Sequence, residues 1–170
     1  MAAQKAGVFF MGDLPFLVSR DSADVWSHPA YFDLDFSSGA PPDAYFADGQ
    51  RWGMPPYHWD RIAAKSYDLV LERLNYAAHF YDLFRIDHAV GVFRIWTIPI
   101  SEPLENGGRN GVFRPEEEGR WEAHGREILS VMAAHTTMLP CAEDLGTVPE
   151  CSPRTLHEFG IPGLDVQRWM

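Results

Sequence analysis

Three short apolar runs, each followed by a carboxylate, constrain what this 170-residue sequence can fold into. The runs are residues 8–11, 83–86 and 138–142, and the acids that follow are Asp13, Asp87 and Glu143. Short apolar runs bounded by glycine or polar residues are typical of strands buried in a parallel sheet. Parallel strands need long crossover connections, usually through a helix. We therefore expect helices between the runs.

The segments between the runs carry helical periodicity. Leu71, Leu74, Ala78 and Tyr81 recur at steps of three and four and predict a helix over residues 67–81. Apolar side chains at positions 128, 129, 131 and 132 predict a second helix over 121–135. A third is predicted between Ser152 as N-cap, with Pro153 in the first helical position, and a stop at Gly160. Residues 164–166 are expected to begin another strand.

This alternation predicts an α/β fold with a parallel sheet. In β/α barrels, the side chains at the carboxyl ends of the strands converge on the active site. A complete barrel needs about 250 residues, so we expect only part of one. Two stretches rich in glycine and proline, residues 37–59 and 99–119, are predicted to be irregular. The aromatic residues of the first stretch argue that it is ordered.

Charge and composition exclude several functions. The chain has 24 acidic and 14 basic residues, a net charge of −10, so nucleic acid is not an expected partner. No apolar run approaches the roughly 20 residues of a membrane span, and the N-terminus lacks a secretory pattern. The two cysteines, Cys141 and Cys151, form neither a disulfide framework nor a zinc pattern. These features favour a cytoplasmic protein, and the oligomeric state stays open.

The acids at positions 87 and 143 are candidates for glycosidic chemistry. At the ends of neighbouring strands they would face each other across a cleft, one as nucleophile and one as proton donor. Acids at such positions also cap helices or lie on the surface, so the spacing alone leaves both interpretations open. Arg85 lies two residues before Asp87 on the same face of the strand. Its charge is expected to keep Asp87 ionised. His88 either binds a sugar hydroxyl or is a satisfied polar residue at the rim.

Four segments, in this order, resemble the amylomaltases, the 4-α-glucanotransferases of glycoside hydrolase family 77. They are GDLPFLVSRDSADVW (Gly12–Trp26), PPDAYFADGQRWGMPPYHWD (Pro41–Asp60), FRIDH (Phe84–His88) and AEDLGTVP (Ala142–Pro149). The resemblance implies a (β/α)8 barrel, here roughly strands three to five, that acts on α-1,4-glucans and maltooligosaccharides without a metal or organic cofactor.

The same resemblance implies roles for individual residues. Asp87 would be the nucleophile and Glu143 the acid/base. The residues around the bond that breaks would be Asp13, Arg85, His88 and Asp144. The loop with Tyr45, Asp48, Gln50 and Trp52 resembles a lid over the acceptor side. Its rings would either stack on glucose and exclude water or pin the loop to the barrel.

The sequence departs from the family pattern in two ways. The segments AVGVFRIWTIP and IPGLDVQRWM look closer to the branch that includes the plant cytosolic disproportionating enzyme, which leaves the donor open. The family's third carboxylate and early barrel strands have no counterpart in residues 1–170. We therefore expect the central part of a catalytic barrel, truncated at both ends, with weak or no activity alone.

Two other functions remain open at this stage. The first is a metal-dependent hydrolase that uses His88, Asp87, Glu143 and one of the other histidines, although no His-x-His or His-Glu-x-x-His spacing occurs. The second is a non-catalytic glucan-binding module.

Overall fold

The computed structural model describes residues 5–164. Within these residues the strands are β1 (Met11–Leu14), β2 (Phe36–Ala40), β3 (Gln50–Arg51), β4 (Leu83–Ile86), β5 (Ile95–Pro99), β6 (Val112–Arg114) and β7 (Leu139–Ala142). The α-helices are α1 (Ala23–Ser27), α2 (Trp59–Ala63), α3 (Asp68–Ala77), α4 (Trp121–Ala134) and α5 (Cys151–Glu158). Single 3-10 turns occur at Pro29–Tyr31, Ala89–Val92, Leu104–Asn106 and Glu118–Arg120.

The chain divides into two compact units. The parallel unit contains the described residues of Met1–Phe16, Tyr67–Phe93 and Glu122–Met170, and the antiparallel unit contains Leu17–Ser66 and Arg94–Trp121. The antiparallel unit is thus built from two insertions, each of which follows a strand of the parallel unit.

The parallel unit contains a three-stranded sheet in the order β1-β4-β7, with every pair parallel. The predicted strand over residues 83–86 is confirmed at both ends. Phe84 and Ile86 are buried and Arg85 is half-buried, as the two-residue period of a strand dictates. The register places Asp13 opposite Arg85 and Arg85 opposite Cys141.

The first strand lies later in the chain than predicted. Residues 8–11 were expected to form a buried strand, but β1 begins at Met11, and Val8, Phe9 and Phe10 are exposed. The pairing with β4 runs from Met11 opposite Leu83 to Leu14 opposite Ile86. As a result, Asp13 lies inside the strand and not after it.

Two predicted helices are confirmed, both with shorter bounds. Helix α4 ends one residue before the predicted His135. Helix α3 begins at Asp68, because Ser66 and Tyr67 adopt positive φ values of 55° and 59°, and it ends at Ala77, before the predicted Tyr81. Leu69, Leu74 and Ala77 form its buried face, whereas Ala78 and Tyr81 are exposed.

The predicted start of the last helix is wrong. Glu150 is the N-cap of α5 and Ser152 lies buried within the helix, so Pro153 is its third residue. Proline is tolerated there because the first turn has no intrahelical N–H bonds to lose. The stop is confirmed, since Gly160 follows the helix with a φ of 65°. The strand expected at 164–166 lies almost wholly outside the described residues; Gly163 makes a parallel bridge to Ala142.

The antiparallel unit contains a sheet that the sequence did not predict, in the order β3-β2-β5-β6. Residues 99–119 were expected to be irregular, but β6 lies among them. The core of this unit includes the buried Ser37, Ser38 and Thr97 as well as Ile98. Three polar side chains in strand centres explain why hydrophobic alternation did not reveal the sheet.

Candidate active site

One guanidinium group in the parallel unit contacts three carboxylates. Arg85 Nη1 lies 2.8 Å from Asp13 Oδ1 and 2.8 Å from Asp87 Oδ1. Its Nη2 lies 2.9 Å from Glu143 Oε2. The acids that follow β4 and β7 therefore meet at the same arginine, and neither is directed into the packed interior of the sheet.

Strand pairing brings these groups together. Asp13 and Arg85 are direct partners on β1 and β4, and the amide of Glu143 donates to the Ile86 carbonyl at 3.0 Å. The amide of Asp87 donates to Leu14 in the same way, at 3.3 Å. Each acid is thus fixed by a backbone hydrogen bond that continues the parallel sheet.

His88 contributes its backbone to the cluster. It has a φ of 47°, an uncommon value for a residue other than glycine. This conformation directs its N–H to Glu143 Oε2 at 2.8 Å, and the next amide, Ala89, donates to the Glu143 carbonyl at 2.9 Å. Sequence reasoning considered only the imidazole, because no sequence signal reports a left-handed histidine.

The electrostatics of the cluster differ from the expectation for Asp87. Burial raises the pKa of this carboxyl above its ordinary value, and the nearby Glu143 and Asp13 raise it further. Arg85 opposes the rise without cancelling it. Arg85 therefore favours ionised Asp87, as expected, but burial and the two neighbouring acids shift the pKa the other way by more.

Arg85 remains a firmly held cation. Burial works against its charged form, but the hydrogen bond to Asp13 and the charges of Glu143, Asp87 and Asp13 outweigh burial, and the pKa of Arg85 is raised. The cluster carries three acids around one base, so it can accommodate an added proton or a developing positive charge.

Asp144, the residue after Glu143, contacts a different part of the backbone. Its Oδ1 accepts a long hydrogen bond of 3.4 Å from the amide of Leu164, and a Cβ on Gly163 would lie 2.7 Å from the same oxygen. Asp144 therefore faces the backbone that follows α5, and no contact joins it to Arg85 among those described.

The four predicted acceptor-side residues lie in the antiparallel unit. Tyr45 is 87% exposed, so its ring does not pin the loop. Asp48 forms an ion pair with Arg109. Gln50 belongs to β3, and its Oε1 accepts the indole N–H of the half-buried Trp52 at 3.1 Å. Tyr57 packs against Phe32 and Trp59, with ring centroids 5.1 Å apart in both pairs, which explains the order of this stretch.

Within residues 5–164, no group of three or more His, Cys, Asp or Glu side chains has the arrangement of a metal site. The metal-dependent hydrolase therefore lacks a ligand set in the part of the chain that the structure describes. Over the same residues, no helix has the length and apolar character to cross a membrane.

A parallel strand-helix fold with carboxylates gathered at the carboxyl edge of its sheet defines a class, the β/α proteins that place catalytic groups at this edge. Comparison with known proteins identifies the family. The family model for glycoside hydrolase family 77, described as 4-alpha-glucanotransferase, matches residues 1–170. The chain belongs to this family, and the resemblance found in the sequence is confirmed.

Individual relatives agree with this assignment. A Chlamydia pneumoniae 4-alpha-glucanotransferase is 41% identical over 167 residues, which cover 98% of this chain and 30% of the relative. The rice protein 4-alpha-glucanotransferase DPE2 is 37% identical over 129 residues, 71% of this chain and 13% of that protein. The amylomaltase from Streptococcus agalactiae, solved in complex with acarbose, superposes with a TM-score of 0.79 at 31% identity, over 98% of this chain and 33% of that one.

The comparisons also establish fold class and extent. Amylomaltases share this fold, so the predicted α/β class with part of a (β/α)8 barrel is confirmed. The chain spans about a third or less of the length of these relatives.

Proposed function

We propose that this chain carries the nucleophile and acid/base segments of a 4-α-glucanotransferase that acts on α-1,4-glucans by a retaining double displacement. The observation that carries the proposal is the shared contact of Asp87 and Glu143 with Arg85. Retention requires two carboxyl groups close together, about 5–5.5 Å apart. Two acids that contact the terminal nitrogens of one guanidinium lie in the same small region, which supports their acting on a single glycosidic bond.

The first half-reaction follows from this arrangement. An Asp87 oxygen bonds to the anomeric carbon as the glycosidic C–O bond breaks, and Glu143 gives its proton to the leaving oxygen. The product is a covalent glucosyl ester on Asp87 and a shortened glucan. Asp13 and Arg85 balance the charge that moves between the two acids.

The second half-reaction reverses the proton transfer. Glu143, now ionised, takes the proton of an acceptor hydroxyl, whose oxygen attacks the anomeric carbon and releases Asp87. The His88 N–H donates to Glu143 Oε2 and so orients this carboxyl for the proton transfer.

The proposal also covers the residues that bind the acceptor, the part of the barrel that this chain forms, and its location in the cell. Tyr45, Asp48, Gln50 and Trp52 form the acceptor-side loop, with the exposed Tyr45 ring available for stacking. His88 and Asp144 take substrate-binding positions. We further propose that residues 1–170 form the central part of a catalytic barrel, with weak or no activity alone, and act in the cytoplasm. The chain covers only 30% of the Chlamydia pneumoniae relative, which supports its being part of a larger barrel.

Covalent trapping tests the assignment in the complete polypeptide that contains this sequence. Maltotriosyl fluoride needs no proton to release fluoride, so a Glu143→Gln variant should accumulate a maltotriosyl ester. Mass spectrometry should place this ester on the peptide that contains Asp87, and Asp87→Asn should show none. Turnover of maltotriose by Glu143→Gln should fall about 10²–10⁴-fold, the range for loss of a positioned proton donor.

Two results contradict the proposal. One is an ester on a different residue. The other is near-normal disproportionation of maltotriose by Asp87→Ala.

A further inference from the structure

Two neighbouring segments of the antiparallel unit interlock. One is the turn formed by residues 43–49, which carries Tyr45 and is called the Tyr45 turn below. The other is residues 104–111, called the brace below. Nothing in the sequence alone indicates that these two segments contact each other.

The Tyr45 turn is internally fixed. Asp43 Oδ1 accepts the amides of Tyr45 at 2.8 Å and Phe46 at 2.7 Å. The Phe46 carbonyl accepts the amides of Asp43 at 3.1 Å and Gly49 at 2.8 Å. These bonds order the backbone around an aromatic ring that stays almost entirely exposed.

The brace contacts the turn at Asp48. The Gly108 amide donates to the Asp48 carbonyl at 2.7 Å, and the Arg109 guanidinium pairs with the Asp48 carboxylate. The approach leaves no space for a side chain at Gly108, because a Cβ there would lie 2.6 Å from the Ala40 carbonyl oxygen and 2.6 Å from the Gln50 amide nitrogen.

The far side of the brace is anchored to the sheet. The Trp96 indole on β5 donates to the Gly108 carbonyl at 2.8 Å. Asn106 and Asn110 donate to the Glu102 carboxylate at 2.5 and 2.6 Å, and these hydrogen bonds hold the pKa of Glu102 below its ordinary value. Arg51 of β3 donates to the Glu102 carbonyl at 2.7 Å. Contacts therefore run from the strands through the brace to the turn.

We propose that the brace holds the Tyr45 turn as a preformed platform for the acceptor sugar and that Arg109 is a positioning residue for acceptor selection. This inference rests on the proposed function, which assigns the turn to the acceptor side. A ring whose backbone is already ordered binds a sugar face without the entropy cost of ordering a loop. Arg109 acts through Asp48 and need not touch the sugar.

Hydrogen exchange of the complete polypeptide tests the positioning without reference to activity. Arg109→Ala removes an ion pair that is about half exposed on both sides, so amides of the Tyr45 turn should exchange about two- to fivefold faster. Arg109→Lys should restore part of the protection. Arg120→Ala, which removes an exposed pair with Glu117 in the same unit, is the matched control and should leave the turn unchanged.

A steric variant tests the same contact from the backbone. Gly108→Ala should accelerate exchange in the turn more than Arg109→Ala does, because the added methyl forces the brace away from Ala40 and Gln50. Gly119→Ala is its control, since a Cβ at Gly119 meets nothing within 4 Å.

Acceptor kinetics connect the positioning to function. With maltotriose as donor and glucose as acceptor, Arg109→Ala should raise the KM for glucose several-fold and leave kcat within about twofold, because only acceptor binding loses preorganisation. Faster exchange together with this KM increase supports the proposal. Unchanged exchange in both Arg109→Ala and Gly108→Ala overturns it.

A third result separates this inference from the proposed function. If Tyr45→Ala raises the KM for glucose but Arg109→Ala does not, despite faster exchange, the brace has no role in acceptor selection and the inference fails alone. If Tyr45→Ala also leaves the KM for glucose unchanged, the acceptor assignment of the loop fails with it.

Discussion

Replacing Arg85 with glutamine should raise the pKa of Asp87 further. The substitution leaves Glu143 and Asp13, which already raise this pKa together with burial, and removes the one group that lowers it. An opposite charge in direct contact lowers a carboxyl pKa by about one to three units, so its loss should produce a rise of about that size. Carboxyl ¹³C NMR of selectively labelled aspartate would measure it in the complete polypeptide.

The same substitution should change how stability depends on pH. Native Asp87 keeps its proton to a higher pH than the unfolded chain does, so the native state binds more protons between the two pKa values. The free energy of unfolding therefore falls as pH rises through this window, and Arg85→Gln extends the window upward. One pKa unit corresponds to about 1.4 kcal/mol.

Solvent reduces the size of this effect. The Asp87 side chain is 37% exposed, so solvent screens its charge. In Arg85→Gln the free energy of unfolding should therefore be lower at neutral pH than at acid pH by roughly 1–2 kcal/mol. Urea unfolding at several pH values would measure it, with Arg154→Gln as the control because it removes an exposed ion pair of the same unit. The pH-dependent loss of stability in Arg85→Lys should lie between that of the unsubstituted protein and that of Arg85→Gln. An Asp87 pKa that stays constant or falls in Arg85→Gln would refute the reasoning.

Packing gives two further predictions, each measured by urea unfolding. Leu129→Ala should lower the free energy of unfolding by about 2–5 kcal/mol, since Leu129 is fully buried, whereas Leu104→Ala, at a 79% exposed position, should stay within about 0.5 kcal/mol. Gly12→Ala should cost about 1–3 kcal/mol, because its Cβ would lie 2.2 Å from the Tyr81 ring, while Gly119→Ala should not. Equal effects within either pair would contradict the packing described.

Sequence periodicity predicted the helices and strands that bury one face, because their apolar residues repeat at a regular spacing within the element. Strand β4 and helix α4 show this most clearly, since the buried Phe84 and Ile86 flank Arg85 and Leu129 lies on a regular apolar face. The position of β1 depended on its pairing with β4, which lies some 70 residues away in the sequence. Such long-range pairing leaves no local signal.

The candidate site also combines groups that the sequence indicates with groups that only the structure reveals. The residue types at positions 13, 85, 87 and 143 could be selected from their places at strand ends, and the structure brings them together. The contribution of the His88 amide could not be predicted, because the direction of this N–H depends on the backbone conformation of His88. Likewise, the brace at Arg109 was not foreseen, since its partner Asp48 lies in another loop of an unpredicted sheet.

The shared arginine has a consequence for how this protein tolerates insertions and deletions. Asp13, Arg85 and Glu143 meet because β1, β4 and β7 are aligned residue against residue. One residue added within β4 would turn Arg85 to the opposite face of the sheet. Residues added within 17–66 or 94–120 fall in the antiparallel unit. Length variation should therefore accumulate in those segments, while the spacing inside each parallel strand stays constant.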